Sequence, residues 1–171
     1  MNRTGIFSFV ALLALFLFPS FVQARHIIGG DITYSYKGQT SPGVKRWQFT
    51  MHIYRDCYGN GADFDAPAQF AIYKGTINNN SLYGTYNVSY TNRTGLIPDT
   101  PQCVTKIPVV CVEEAIYTFE EDLPVLTNES YFIVYQRCCR NNTITNIVSP
   151  GDVGATYFIE LSPAAMAASC W

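Results

Sequence analysis

Arg46-Trp47-Gln48-Phe49-Thr50-Met51-His52-Ile53-Tyr54 is the stretch whose reading decides the fold. Trp47, Phe49, Met51 and Ile53 fall on one side of an extended chain, and Gln48, Thr50, His52 and Tyr54 on the other. Period two marks a half-buried strand, because successive side chains leave an extended backbone on opposite faces. A slip of one residue would turn all four apolar groups to water, so the pattern also names the core face. Residues 130–137 repeat it, with Tyr131, Ile133 and Tyr135 opposite Phe132, Val134 and Gln136. Further runs rich in β-branched or aromatic residues occur at 31–36, 69–73, 82–90, 106–112, 115–123 and 156–161. Turn signals separate them: Lys37-Gly38, Gly59-Asn60-Gly61, Lys74-Gly75, Thr94-Gly95, Asn141-Asn142 and Pro150-Gly151-Asp152. About eight short strands at this spacing, with no helical period of useful length, predict an all-β fold, an immunoglobulin-like antiparallel β-sandwich. No repeat of fixed period is visible, which argues against a solenoid or propeller.

The 171-residue chain carries 11 Lys+Arg against 13 Asp+Glu. Residues 1–24 read as a signal peptide. Arg3 is the positive start, and Ile6 to Phe18 form an apolar run of roughly 13 residues, short of the roughly 20 that span a bilayer. Val22-Gln23-Ala24 offers the small residues a signal peptidase reads. Cleavage there leaves 171 − 24 = 147 residues, enough for one domain. The sandwich is expected over 25–162, and the Ala-rich stretch 163–171 reads as a tail, the truncated start of a following module. Charged residues at 14% and aromatics at 15% argue against disorder. The absence of a basic run argues against nucleic acid as a partner. Export through the cleaved signal peptide makes the expected location secreted or at the cell surface, and no stretch of membrane-spanning length follows in the mature chain.

Cys57, Cys103, Cys111, Cys138, Cys139 and Cys170 make an even set in an exported chain, and structural disulfides are the expectation. No Cys-x-x-Cys occurs, which argues against a metal held by cysteine. Cys103 and Cys111 are spaced to close a local loop. Neighbouring side chains on a strand diverge, so Cys138 and Cys139 are expected to bond to different partners, with Cys57 the first choice for one of them. Cys170 is left to pair within the chain or beyond its end.

Residues that could carry chemistry are few. His26 and His52 have no neighbours in sequence that suggest a triad. Asp56, Asp63 and Asp65 flank a Gly/Asn-rich loop and form a weak calcium candidate, against the plainer role of aspartates in turn hydrogen bonds. No other metal and no cofactor is expected. Glu113-Glu114 and Glu120-Glu121-Asp122 could supply a hydrolase's paired carboxylates, but read better as a solvated strand edge and turn. Exposed tyrosines could stack on sugars, although tyrosines in strands more often pack in the core. Gly29-Gly30 is no phosphate loop. Sequons at Asn79, Asn87, Asn92, Asn128 and Asn141 matter only in a chain made by a eukaryote.

Three strings carry a resemblance. His26-Ile27-Ile28-Gly29-Gly30-Asp31-Ile32-Thr33-Tyr34 follows the export segment. Ile53-Tyr54-Arg55-Asp56-Cys57 precedes Phe64-Asp65-Ala66-Pro67-Ala68. Tyr135-Gln136-Arg137-Cys138-Cys139-Arg140-Asn141 leads to Ile144-x-Asn146-Ile147. Together they resemble the N-terminal region of large secreted surface proteins of Bacteroidota. Such proteins continue into PKD or immunoglobulin-like modules and end in a gliding-motility-associated or type IX secretion sorting domain. The resemblance implies a non-catalytic structural or interaction module for display, adhesion or gliding, with other surface proteins or extracellular glycans as partners. It implies no catalytic residue. A carbohydrate-binding module is the alternative, and a secreted hydrolase ranks last.

Overall fold

A computed structural model describes residues 27–58, 61–97, 110–141 and 143–168. The deciding stretch lies within strand β2, Val44–Asp56. Trp47, Phe49 and Met51 are 1% exposed there and Ile53 is 0%, while Gln48 and Thr50 on the other face keep partial contact with solvent. Before it runs β1, Ile27–Ser41, longer than the expected 31–36 because Gly29 and Gly30 continue the ladder. At Gly30 a Cβ would stand 2.7 Å from the His52 carbonyl oxygen and 3.3 Å from the Tyr157 ring, so only glycine fits this close approach.

The remaining strands are β3 (Ala68–Thr76), β4 (Asn79–Val88), β5 (Tyr90–Leu96), β6 (Val112–Pro124), β7 (Ser130–Arg137) and β8 (Ala155–Leu161). They form two four-stranded sheets, β1-β2-β6-β5 and β4-β3-β7-β8, with every neighbouring pair antiparallel. This is the immunoglobulin-like order, with the first, second, sixth and fifth strands opposite the third, seventh and eighth, and β4 flanking β3. The run 82–90, expected as one strand, is interrupted at Ser89, where the chain leaves one sheet as β4 and enters the other as β5. Tyr131, near the start of β7, donates from its hydroxyl to the Pro124 carbonyl at 3.2 Å, the corner contact of such sandwiches.

Aromatic rings close the space between the sheets. Phe70 of β3 meets Phe119 of β6 at 5.1 Å and Tyr117 at 6.2 Å, and Trp47 lies 5.5 Å from Tyr34 and 5.4 Å from Tyr36. Each such pair adds about 0.5–1.5 kcal/mol beyond its buried area.

The stretch after β8 is not a tail outside the sandwich. Ser162 caps a short helix α1, Pro163–Ala167, by accepting from the Ala165 N–H at 3.3 Å. Ala165 and Met166 join the core cluster, and Lys45 Nζ donates to the carbonyls of Met166 at 2.7 Å and Ala168 at 2.9 Å. An Ala-rich sequence lacks strand character, yet its one methionine fills the end of the core. The export segment 1–24, His26, Cys103 and Cys170 lie outside the described residues.

Candidate functional site

One pole of the sandwich gathers the connection after β2, the connection after β7 and the start of β1. Cys57 follows the last residue of β2 and Cys111 precedes the first of β6, side by side because Asp56 and Val112 are register partners. Cys57 is accordingly bonded to Cys111, with Cα atoms 5.1 Å apart, and its N–H donates to the Cys111 carbonyl at 3.0 Å. This overturns both the Cys103–Cys111 loop and a bridge from Cys57 to the adjacent pair, because β7 lies in the other sheet. Cys138 and Cys139 are bonded to each other, with Cα atoms 3.7 Å apart. The expectation of divergent sulfurs fails because β7 ends at Arg137 and Cys139 has φ +79°, outside the extended conformation that period two requires.

Three arginines from three strands pin the loop at 61–67. Arg55 donates from Nε to Glu113 at 2.8 Å and from Nη1 to the Ala62 carbonyl at 3.1 Å. Arg93 reaches Asp63 at 3.0 Å and Glu113 at 2.8 Å. Arg137 donates to the Asp63 carbonyl and stands 3.5 Å from the Asp65 carboxylate. Phe64 lies beneath the guanidiniums of Arg55 and Arg93, at 5.3 and 5.5 Å. Partial burial pushes the Asp63 and Glu113 carboxyls up, but the Phe64 N–H and Arg93 and Arg55 at Asp63, and Arg55 and Arg93 at Glu113, outweigh it. Both carboxyls are held below their ordinary values.

The calcium candidate dissolves into this network. Asp56 accepts from the Tyr58 N–H at 2.8 Å and from Asn141 Nδ2 at 3.1 Å, Asp63 faces two arginines, and Asp65 faces Tyr135 and Arg137. The three carboxylates face separate partners, and among the described residues no group of three His, Cys, Asp or Glu is placed to hold a metal ion. The sequence does carry the signal for the real arrangement, in that Arg55, Arg93 and Arg137 lie in or at the end of strands leading to this pole. Nothing in their local spacing shows that they converge.

The acidic pairs of 113–122 are also placed differently from expectation. They lie within β6, an interior strand of its sheet and not an edge. Cross-strand partners engage two of them: Arg46 forks onto Asp122 at 2.8 and 2.9 Å, and His52 Nδ1 lies 2.7 Å from Glu114. Glu113 is shared by Arg55 and Arg93. The His52–Glu114 pair, invisible in sequence, links β2 to β6 on one face of their sheet.

The outer faces of the two sheets differ. On β1-β2-β6-β5, Thr33 and Thr118 flank Thr50, and Gln48 is opposite Glu120, so this face is polar. On β4-β3-β7-β8, Tyr73 is opposite Phe132, and Val134 lies between Ala71 and Phe158. Phe132 is 6% exposed yet stands apart from the inter-sheet core, whereas Phe158, Leu82 and Ile77 are 54%, 56% and 68% exposed. Tyr73, Ile77, Phe132, Val134 and Phe158 line a shallow groove, with Asn80, Gln136 and Thr156 on its rim. A second hollow on the same face continues it past Tyr73 to Leu82.

No family model, curated protein or solved structure matches the chain. No helix among the described residues is long and apolar enough to cross a membrane. The rings that could have offered a sugar platform mostly serve the core. Trp47, Tyr117, Tyr131 and Tyr135 are each 1% exposed, and Tyr34, Tyr36, Tyr86, Tyr90 and Tyr157 pack against them.

Proposed function

We propose that the chain is a non-catalytic interaction module of an exported surface protein, and that it docks a protein partner through the outer face of β4-β3-β7-β8. The contrast between the two outer faces carries this reading. One face is polar, and the other holds a continuous apolar strip from Leu82 through Tyr73 and Val134 to Phe158. Contiguous exposed apolar surface of this kind, rimmed by polar groups, is characteristic of protein contacts. Three of the acids that a hydrolase could use, Asp122, Glu114 and Glu113, are engaged by Arg46, by His52 and by Arg55 with Arg93, which supports a role without chemistry. Export rests on the leader-like segment 1–24, and display, adhesion or gliding on the resemblance to Bacteroidota surface proteins.

The test compares the exported chain with a Val134→Lys/Phe158→Asp variant for retention on source cells that lack the gene. Retention should fall about tenfold or more, the effect of removing about 1.4 kcal/mol of contact. Equal retention of both proteins overturns the docking face. Release of the wild-type chain by soluble polysaccharide would instead establish the glycan-binding alternative.

A further inference from the structure

We propose that Cys138–Cys139 is a thiol-exchange site, opened by small extracellular thiols, and that stapling is left to Cys57–Cys111. The two disulfides differ first in what they can stabilise. Cys57–Cys111 joins residues 54 apart in sequence, whereas Cys138 and Cys139 are adjacent and enclose no chain. A cross-link stabilises chiefly by restricting the loop it closes in the unfolded chain, so the adjacent pair contributes next to nothing in this way. They differ also in surroundings. Cys138 is exposed and borders a shallow depression with Gln136, Arg137, Gly154 and Thr156, which admits a small thiol. Arg140, next in sequence to the pair, donates from Nε at 3.1 Å to the carbonyl of Gly154, which borders the same depression, and a cationic neighbour favours the thiolates through which exchange proceeds.

The reaction balances with a thiol as the reductant. A thiolate RS⁻ attacks Cys138 Sγ, the bond to Cys139 breaks, and a Cys138–S–S–R mixed disulfide forms. Cys139 leaves as a thiolate and takes a proton from water. A second thiolate attacks the sulfur carrying R, so RSSR departs oxidised, Cys138 is protonated, and two electrons have passed to the protein. Opening also frees Cys139 from φ +79°. The next residue, Arg140, donates from its N–H to the Pro150 and Val153 carbonyls, each at 3.1 Å, and the Asn141 N–H binds the Ile27 carbonyl at 3.1 Å. Reduction therefore loosens the connection between β7 and β8 and its hold on the start of β1.

The oxidised exported chain should be titrated with reduced glutathione, its thiols alkylated, and its peptides mapped by mass spectrometry. Cys138 and Cys139 should become alkylated at a glutathione concentration about tenfold or more below that which opens Cys57–Cys111; since two glutathiones are consumed per disulfide, this is about a hundredfold in the equilibrium constant, or about 60 mV between the couples. A Cys138→Ser/Cys139→Ser variant should keep Cys57–Cys111 and take up no glutathione. Opening of both disulfides together overturns the proposal. So does a Cys138 or Cys139 bonded to Cys103 or Cys170 in the untreated protein, or undiminished glutathione uptake by the variant.

Discussion

Tyr135 Oη donates a 2.6 Å hydrogen bond to the Asp65 carboxylate, joining a core residue of β7 to the loop that connects the two sheets. Tyr117 Oη donates to the backbone carbonyl of the same residue at 2.7 Å. Both phenols are buried, and Asp65 is the polar group that receives them. Tyr135→Phe should lose about 1.5–3 kcal/mol in urea unfolding, the range for a hydrogen bond to a charged acceptor. Asp65→Ala should lose at least as much, because it also strips Arg137 of its carboxylate. A Tyr135→Phe loss under about 0.5 kcal/mol would show that water replaces the bond without penalty.

Trp47 sits against Tyr34 and Tyr36 at 1% exposure. Trp47→Ala should destabilise the sandwich by about 3–5 kcal/mol, measured by chemical denaturation. A value below about 1 kcal/mol would mean that the ring is not part of the core.

The cross-link between Cys57 and Cys111 closes a loop with a sequence separation of 54. On the chain-entropy account its replacement by two serines should lower stability by about 4 kcal/mol. The equivalent change at Cys138 and Cys139 should lower it by less than about 1 kcal/mol. Thermal melts of both variants without reductant decide the order.

Acid should unfold the protein through the arginine-bound loop. Asp63 and Glu113 are held below their ordinary values of 3.8 and 4.5, so the unfolded chain takes up protons first as the pH falls. Their contribution is present at neutral pH, and is lost as pH drops below about 4.5 and through the folded values. An Arg55→Gln/Arg93→Gln variant should show a shallower decline of stability below that pH. At the alkaline end the sign reverses. Burial pushes the Tyr131 phenol up to about 12 from 10.0, so stability should fall from about pH 10 upward as unfolded chains ionise first. Urea midpoints measured across both limits test the two signs.

Strand content was legible because it is local. The alternation from Trp47 to Ile53 and from Tyr131 to Tyr135 marks the core-facing sets, and the structure places both of them inward. The disulfides were not legible, since the pairing depends on β2 and β6 becoming neighbours although a hairpin and two sheet crossings intervene. The arginine-bound loop was hidden for the same reason. Asp63 and Arg93 are distant in sequence, and an aspartate beside glycines looks alike whether it awaits a cation or an arginine. The short helix after β8 was missed because burial of Met166 is set by the space at the end of the core, which only the assembled sheets define.

The chain enters and leaves the sandwich at opposite poles. Ile27 begins β1 beside Arg55 and Arg140, at the end that holds the Cys57–Cys111 bridge, whereas α1 follows β8 and is gripped by Lys45 near the β1–β2 turn. Tension transmitted between these ends would run along the strands. The rungs of the β1–β2 and β7–β8 ladders would then be loaded in parallel, as in shear, and not broken one at a time as in unzipping. A module built this way would keep its shape while a longer chain is pulled, and its resistance would be set by the rate of unfolding under load more than by its equilibrium stability.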